Sequence, residues 1–242
     1  MALAPLPVTA PSAEEEPAPL LLPWDLRLSP EQFERVCERN PDAVLELAAD
    51  GRLIAMTPTG GETSSRNGQL LYQLQDFCRR WKGWRLFDSS GGFRLPDGSV
   101  LSPDASLVRE DLWQALSPQE RRGFPPLCPD LVVELASPSD EGPRGVSALR
   151  RKMETYQANG AQLGWLLLPE ERAVEIWRGG EQGMAQRLED ASRLEGVSSP
   201  KAWCWSWRRS GRCELRGRDN DPLGRLLTET SATAAPQAAL RH

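Results

Sequence analysis

Apolar residues recur along the chain in different rhythms, and each rhythm predicts an element. Leu70, Leu71, Leu74, Phe77, Cys78 and Trp81 fall three and four apart, the spacing that gathers side chains on one face of a helix, so a long helix is expected over residues 62–81. The run Leu131-Val132-Val133-Glu134-Leu135 is nearly continuous and of strand length, as in a central strand covered on both faces. Short apolar runs at 44–48 and 53–56 flank Asp50-Gly51, the signature of a hairpin. Further strands are expected at 84–88, 93–95, about 105–108, 163–168 and 173–178, with turns at Pro96-Asp97-Gly98 and Pro169-Glu170-Glu171. Ser29-Pro30-Glu31-Gln32 combines an N-cap, a proline in the first turn and a capping-box glutamine, which predicts a helix to about Arg39, ended by Asn40-Pro41. A helical excursion is expected over 110–122, and a further helix closes at Gly160. The order of these elements describes an α/β fold, a sheet flanked by helices in a single domain over residues 21–218.

Composition trims this picture at both ends. Residues 1–20 alternate Pro and Ala around Glu14-Glu15-Glu16 and cannot bury enough apolar surface to offset the entropy of ordering, so a disordered arm is expected there. They contain no basic and apolar segments in secretory order. Residues 219–242 read as a polar tail, and no apolar run reaches the roughly 20 residues of a membrane helix. Five cysteines without a C-x-x-C pair suit reduced thiols, and with them a cytoplasmic setting. The alternation of Trp203, Trp205 and Trp207 predicts a strand with an aromatic face. Six basic residues and one acid follow within 201–218. A formal net charge of -5 argues against a surface coated for nucleic acid while allowing a local basic groove, for which Arg144, Arg150, Arg151 and the cluster after Trp207 are the candidates.

The only histidine is His242, which removes Ser-His-Asp and Cys-His catalysis and most zinc hydrolases from consideration. Chemistry must then rest on carboxylates, lysine, arginine, hydroxyls or an added ion. Glu134, inside an apolar strand, is costly to bury unless paired or metal-bound. Asp104 enters the neighbouring predicted strand after Ser102-Pro103, where an aspartate also commonly shapes a turn. Magnesium takes oxygen ligands and keeps several waters, so Asp104, Glu134 and the carbonyl of Leu135 could hold it, with Mn2+ as a substitute. Lys152, on the helix that follows, could orient a water or receive its proton, although a solvated helix lysine is its ordinary fate. Tyr156, one turn on, would share its face.

The segments PTGGETSSRN, DSSGGFRLPDGSVLSPDASLV, FPPLCPDLVVELASPSD and LRRKMETYQANG, in this order, resemble the Uma-two family of restriction endonucleases within the PD-(D/E)XK superfamily, over roughly residues 29–200. The resemblance implies a restriction-endonuclease-like fold, a mixed β-sheet flanked by α-helices with a divalent-metal site at the sheet. It also implies roles for Glu62 as a helix-borne acid, Asp104 and Glu134 as the metal-binding pair, and Lys152 as the lysine. The simplest superfamily pattern would place lysine two residues after Glu134, where this chain has Ala136, so the lysine must come from the helix. Glu62 opens its helix, where any acid is favoured by the macrodipole, and Ser65, Arg66 and Gln69 share its face. The implied activity is magnesium-dependent hydrolysis of DNA, with a homodimer suited to cutting both strands. Two rivals stand beside it: a catalytically inactive nuclease-fold module that binds nucleic acid or a protein, and a carboxylate-based hydrolase acting on smaller phosphates.

Overall fold

The computed structural model of the protein describes residues 23, 25–138, 145–180 and 185–190, and the backbone of two further strands at 204–207 and 213–216. The expected N-terminal arm, the polar tail, Trp203 and Arg144 lie outside the described residues.

Helix α1 (Pro30–Arg39) begins where the sequence caps it. The Ser29 hydroxyl accepts from the Gln32 N–H at 3.3 Å, and the Gln32 side chain accepts from the Ser29 N–H at 2.7 Å, satisfying two otherwise orphaned donors. Strands β1 (Leu45–Leu47) and β2 (Leu53–Ala55) form the expected hairpin. Gly51 turns it at φ 81°, and a Cβ there would stand 2.8 Å from the Leu28 carbonyl oxygen. Next come helix α2 (Gly61–Arg80), strands β3 (Trp84–Asp88), β4 (Phe93–Arg94), β5 (Val100–Leu101) and β6 (Ala105–Arg109), and helix α3 (Glu110–Ala115). The excursion with helical turns expected over 110–122 is α3 followed by turns. Strand β7 (Leu131–Leu135), helix α4 (Gly145–Ala158), and strands β8 (Leu163–Leu168), β9 (Ala173–Arg178), β10 (Ala185–Glu189), β11 (Cys204–Trp207) and β12 (Cys213–Arg216) complete the described elements.

The main sheet runs β10-β9-β8-β7-β6-β3, and a smaller one β2-β1-β5-β4. Within the main sheet β7 and β8 are parallel while the other neighbours are antiparallel. A parallel pair cannot be closed by a tight turn, and α4 supplies the crossover. Side chains alternate between the two sheet faces. Ala105, Leu107, Leu131, Val133, Leu135, Trp165 and Ile176 pack with Leu70 and Leu74 of α2 on one face. Val108, Val132, Ala136, Leu166 and Trp177 pack with Met153 and Tyr156 of α4 on the other. Gly164 lets α4 approach this second face, because a Cβ there would collide with the Met153 methyl and press on Trp177 and Val132. Strand parity therefore puts Glu134, flanked by Val132 and Ala136, on the α4 face. The architecture is the mixed α/β sheet flanked by helices that the sequence implied.

Candidate active site

Asp104 and Glu134 face each other across two strands. Strands β6 and β7 pair antiparallel with Ala105 opposite Val133, and one further step in that register places Asp104 opposite Glu134. The Asp104 carboxylate also accepts the Leu135 N–H at 2.7 Å, which fixes it against the end of β7. Lys152 descends from α4 with its ammonium 2.9 Å from Glu134 Oε1, 2.8 Å from Glu46 Oε1 and 3.0 Å from the Ser102 carbonyl oxygen. Those three contacts occupy all three of its donors. Tyr156, one helical turn along, donates its hydroxyl to Glu134 Oε1 at 3.2 Å. The Ser102 N–H donates to Glu46 Oε1 at 2.8 Å, so a single peptide residue joins both ends of the cluster.

Two acids meet the ammonium, a third, Asp104, faces Glu134, and the two glutamates lie in a dry environment. Glu46 and Glu134 are each 3% exposed and Tyr156 is fully buried. Burial pushes the Glu134 carboxyl up to about 8; Lys152 opposes the rise, while Asp104 and Glu46 add to it. Burial disfavours the charged form of Lys152, but Glu134 and Glu46 outweigh that cost and hold its pKa above the ordinary lysine range. Tyr156 is raised well above its ordinary value by burial and by the same two carboxylates. With every acid ionised, the side chains of Glu46, Asp104, Glu134 and Lys152 would together sum to two negative charges, an excess that a divalent cation or bound protons can meet.

The donor set suits such an ion in one specific way. Among the described residues no three His, Cys, Asp or Glu side chains form a ready metal cage. Lys152 takes the space between Glu46 and Glu134, leaving Asp104 and Glu134 as a facing pair. Two carboxylates with water completing the shell is the ordinary arrangement for magnesium, whereas calcium or zinc would call for more protein ligands.

The structure thus brings together Asp104, Glu134 and Lys152, which the sequence singled out, and it does not bring Glu62 to them. Glu62 is 71% exposed at the start of α2 and pairs with Arg66 at 2.6 Å; Arg66 in turn reaches Glu170 at 2.9 Å. Leu135 meets Asp104 through its backbone N–H. Glu46 was not anticipated from sequence. In Leu45-Glu46-Leu47 it reads as the outward polar residue of an alternating strand, but the small sheet is layered, and its second face looks into the cluster. Another buried acid, Glu175 on β9, lies on the same face, opposite Leu166 and Arg187, and receives Arg150 from α4. This assigns Arg150 to an internal ion pair.

The order of these elements and the acids on the sheet can be set beside known proteins. The family model described as "Putative restriction endonuclease", Uma2, matches residues 30–207. The chain belongs to the Uma2 family. A solved structure described as a putative nuclease belonging to DUF820, from Anabaena variabilis, is similar to this chain with a TM-score of 0.55 and 20% identity, covering 70% of this chain and 89% of that one. At that identity the likeness establishes the shared fold. No curated protein matches the chain. The acids and lysine described above lie within the span that defines this Uma2 protein. No helix among its described residues is long and apolar enough to cross a membrane.

Proposed function

We propose that this Uma2 protein is a magnesium-dependent endonuclease that hydrolyses DNA phosphodiester bonds in the cytoplasm. The observation that carries the reading is the pair of facing carboxylates, Asp104 and Glu134, with the Lys152 ammonium 2.9 Å from Glu134. Asp104, Glu134 and the Leu135 carbonyl would hold Mg2+, or Mn2+ in its place. Bound there, the ion would lower the pKa of a water and stabilise charge on a phosphoryl oxygen. Lys152 would serve as the cluster's mobile cation, leaving one of its three acceptors to meet a phosphate oxygen or the attacking water. Tyr156 and Glu46 position it: the first fixes Glu134 Oε1, the second anchors the opposite side of the ammonium. Glu62 is proposed only as a supporting acid at the mouth of α2, since its carboxylate is engaged by Arg66. Cutting both strands would call for a symmetric homodimer.

The test joins binding to turnover. Purified protein is expected to titrate with Mn2+ in a calorimeter and to nick or cut plasmid DNA with Mg2+ or Mn2+. Asp104→Ala is expected to lose both while keeping its circular dichroism spectrum. Undiminished cleavage by Asp104→Ala would remove the assignment. One observation favours a second reading, a nuclease-fold module without turnover: Lys152 has all three donors engaged by protein acceptors, as a purely structural lysine would. That module is expected to give no Mn2+ heat from either the wild type or Glu134→Ala.

A further inference from the structure

A hollow of about 400 Å³ opens beside the acidic cluster, within the size range of small-molecule sites. Its walls include Phe87, Phe93, Trp113 and Phe124, with Arg121 and Glu34 at the polar side. The rings brace one another: Phe87 lies 5.0 Å from Trp113 and 5.2 Å edge-on from Phe93, centroid to centroid. The Arg121 guanidinium stands 5.9 Å from the Trp113 ring centre, and its Nε–H is buried without a hydrogen-bond partner. The Glu34 carboxylate closes against Gly123, where a Cβ would meet it at 2.7 Å. The hollow thus offers aromatic surface, the Arg121 guanidinium and a carboxylate acceptor.

Its position ties it to the cluster. Gly92 forms part of the wall, and a Cβ placed there would stand 3.3 Å from the Ser102 hydroxyl, the residue whose backbone serves both Glu46 and Lys152. Phe87 pairs with Ser106 on β6, two residues from Asp104 and on the same sheet face, a diagonal of roughly 7–8 Å. A phosphate at the carboxylates would therefore have its own base within reach of the hollow.

We propose that this hollow is a nucleobase pocket that receives one unstacked base of the substrate strand next to the scissile phosphate. Every base has a π-face for aromatic walls and an edge with both donors and acceptors, which is the combination the lining provides. The assignment to the substrate strand rests on the nuclease reading; base binding itself does not.

The test uses the full chain in chelator, with deoxynucleoside monophosphates as probes, deoxyribose 5-phosphate as the base-free control, and saturation-transfer NMR as the readout. The mononucleotides are expected to bind saturably, about tenfold or more tighter than the sugar phosphate. Two variants are expected to remove most of that difference. In Gly91→Leu the new side chain would fill the hollow; the site for its Cβ has only ordinary contacts, at 3.5 Å or more, with Asp88 and Phe87. Arg121→Met takes away the guanidinium on the lining. Mn2+ binding should be unchanged in both, because neither touches Asp104 or Glu134. Equal binding of mononucleotide and sugar phosphate, or wild-type binding by both folded variants, would overturn the pocket. Base-dependent binding without any plasmid cleavage would keep the pocket as a nucleotide site and remove the nuclease reading. Cleavage with an unchanged KM in Gly91→Leu would overturn its place on the substrate path.

Discussion

Replacing Glu134 with glutamine removes a buried titrating carboxyl while keeping its shape and an acceptor oxygen for Tyr156. In the wild type the folded carboxyl is raised from 4.5 to about 8. The sign follows directly. Between those two values the folded protein holds a proton that the unfolded chain has released, so stability falls as pH rises, by up to about 1.4 kcal/mol per pH unit. The stabilisation is fully present below about 4.5 and has been lost once pH passes about 8. Across the window this amounts to about 5 kcal/mol at most. Glu134→Gln cannot titrate, so it should track the wild type near pH 5 and become progressively the more stable protein toward pH 8. Urea unfolding of both proteins in chelator at pH 5, 6, 7 and 8 reads this difference. Saturating Mn2+ should reverse the order, by stabilising the wild type alone. A difference between the two proteins that is flat from pH 5 to 8 would refute the picture of an acid held protonated by burial.

Other perturbations test other parts of the molecule. Lys152→Met leaves Glu46 and Glu134 buried against an apolar side chain and should cost about 3–5 kcal/mol; adding Glu134→Gln should restore part of it, since stranding a buried charge costs more than removing a pair. Gly164→Val drives two methyls into Met153 and is expected to cost about 1–3 kcal/mol by overpacking, with a lower melting temperature and weaker plasmid cleavage as α4 and Lys152 lift from the sheet. Burial pushes the Cys128 thiol up to about 12, so at pH 8 native protein should resist iodoacetamide at Cys128 and react there only on unfolding, as read by peptide mass spectrometry. Rapid native labelling at that residue would contradict its raised pKa.

Much of the fold was legible because it depends on local rules. The cap at Ser29, the hairpin at Asp50-Gly51, the helical spacing from Leu70 to Cys78 and the apolar run of β7 each act over a few residues. What escaped was either short or weakly patterned. β5 has two residues and exists because Val100 pairs with Leu47 far earlier in the chain. β10 reads Ala-Gln-Arg-Leu-Glu, mostly polar, and is held as a strand by its ladder with β9. The excursion with helical turns expected over 110–122 takes the form of a short helix, Glu110–Ala115, and a turn in which the Glu120 carboxylate accepts the Ser117 N–H and Glu120 donates back to the Ser117 hydroxyl.

The sequence by itself determined that Glu134 needed a partner, since an ionised acid inside an apolar strand is expensive, and that the partner could not be histidine. It also determined which residues form the elements that carry Asp104 and Lys152. Only the tertiary structure decided how the need is met. Sheet register sets Asp104 opposite Glu134, the crossover helix lowers Lys152 between Glu134 and Glu46, and the layering of the small sheet turns Glu46 inward while Glu62 stays with Arg66 at the surface. These are relations between segments distant along the chain. They arise from strand order and from which face each element covers, and no local pattern of residues records either.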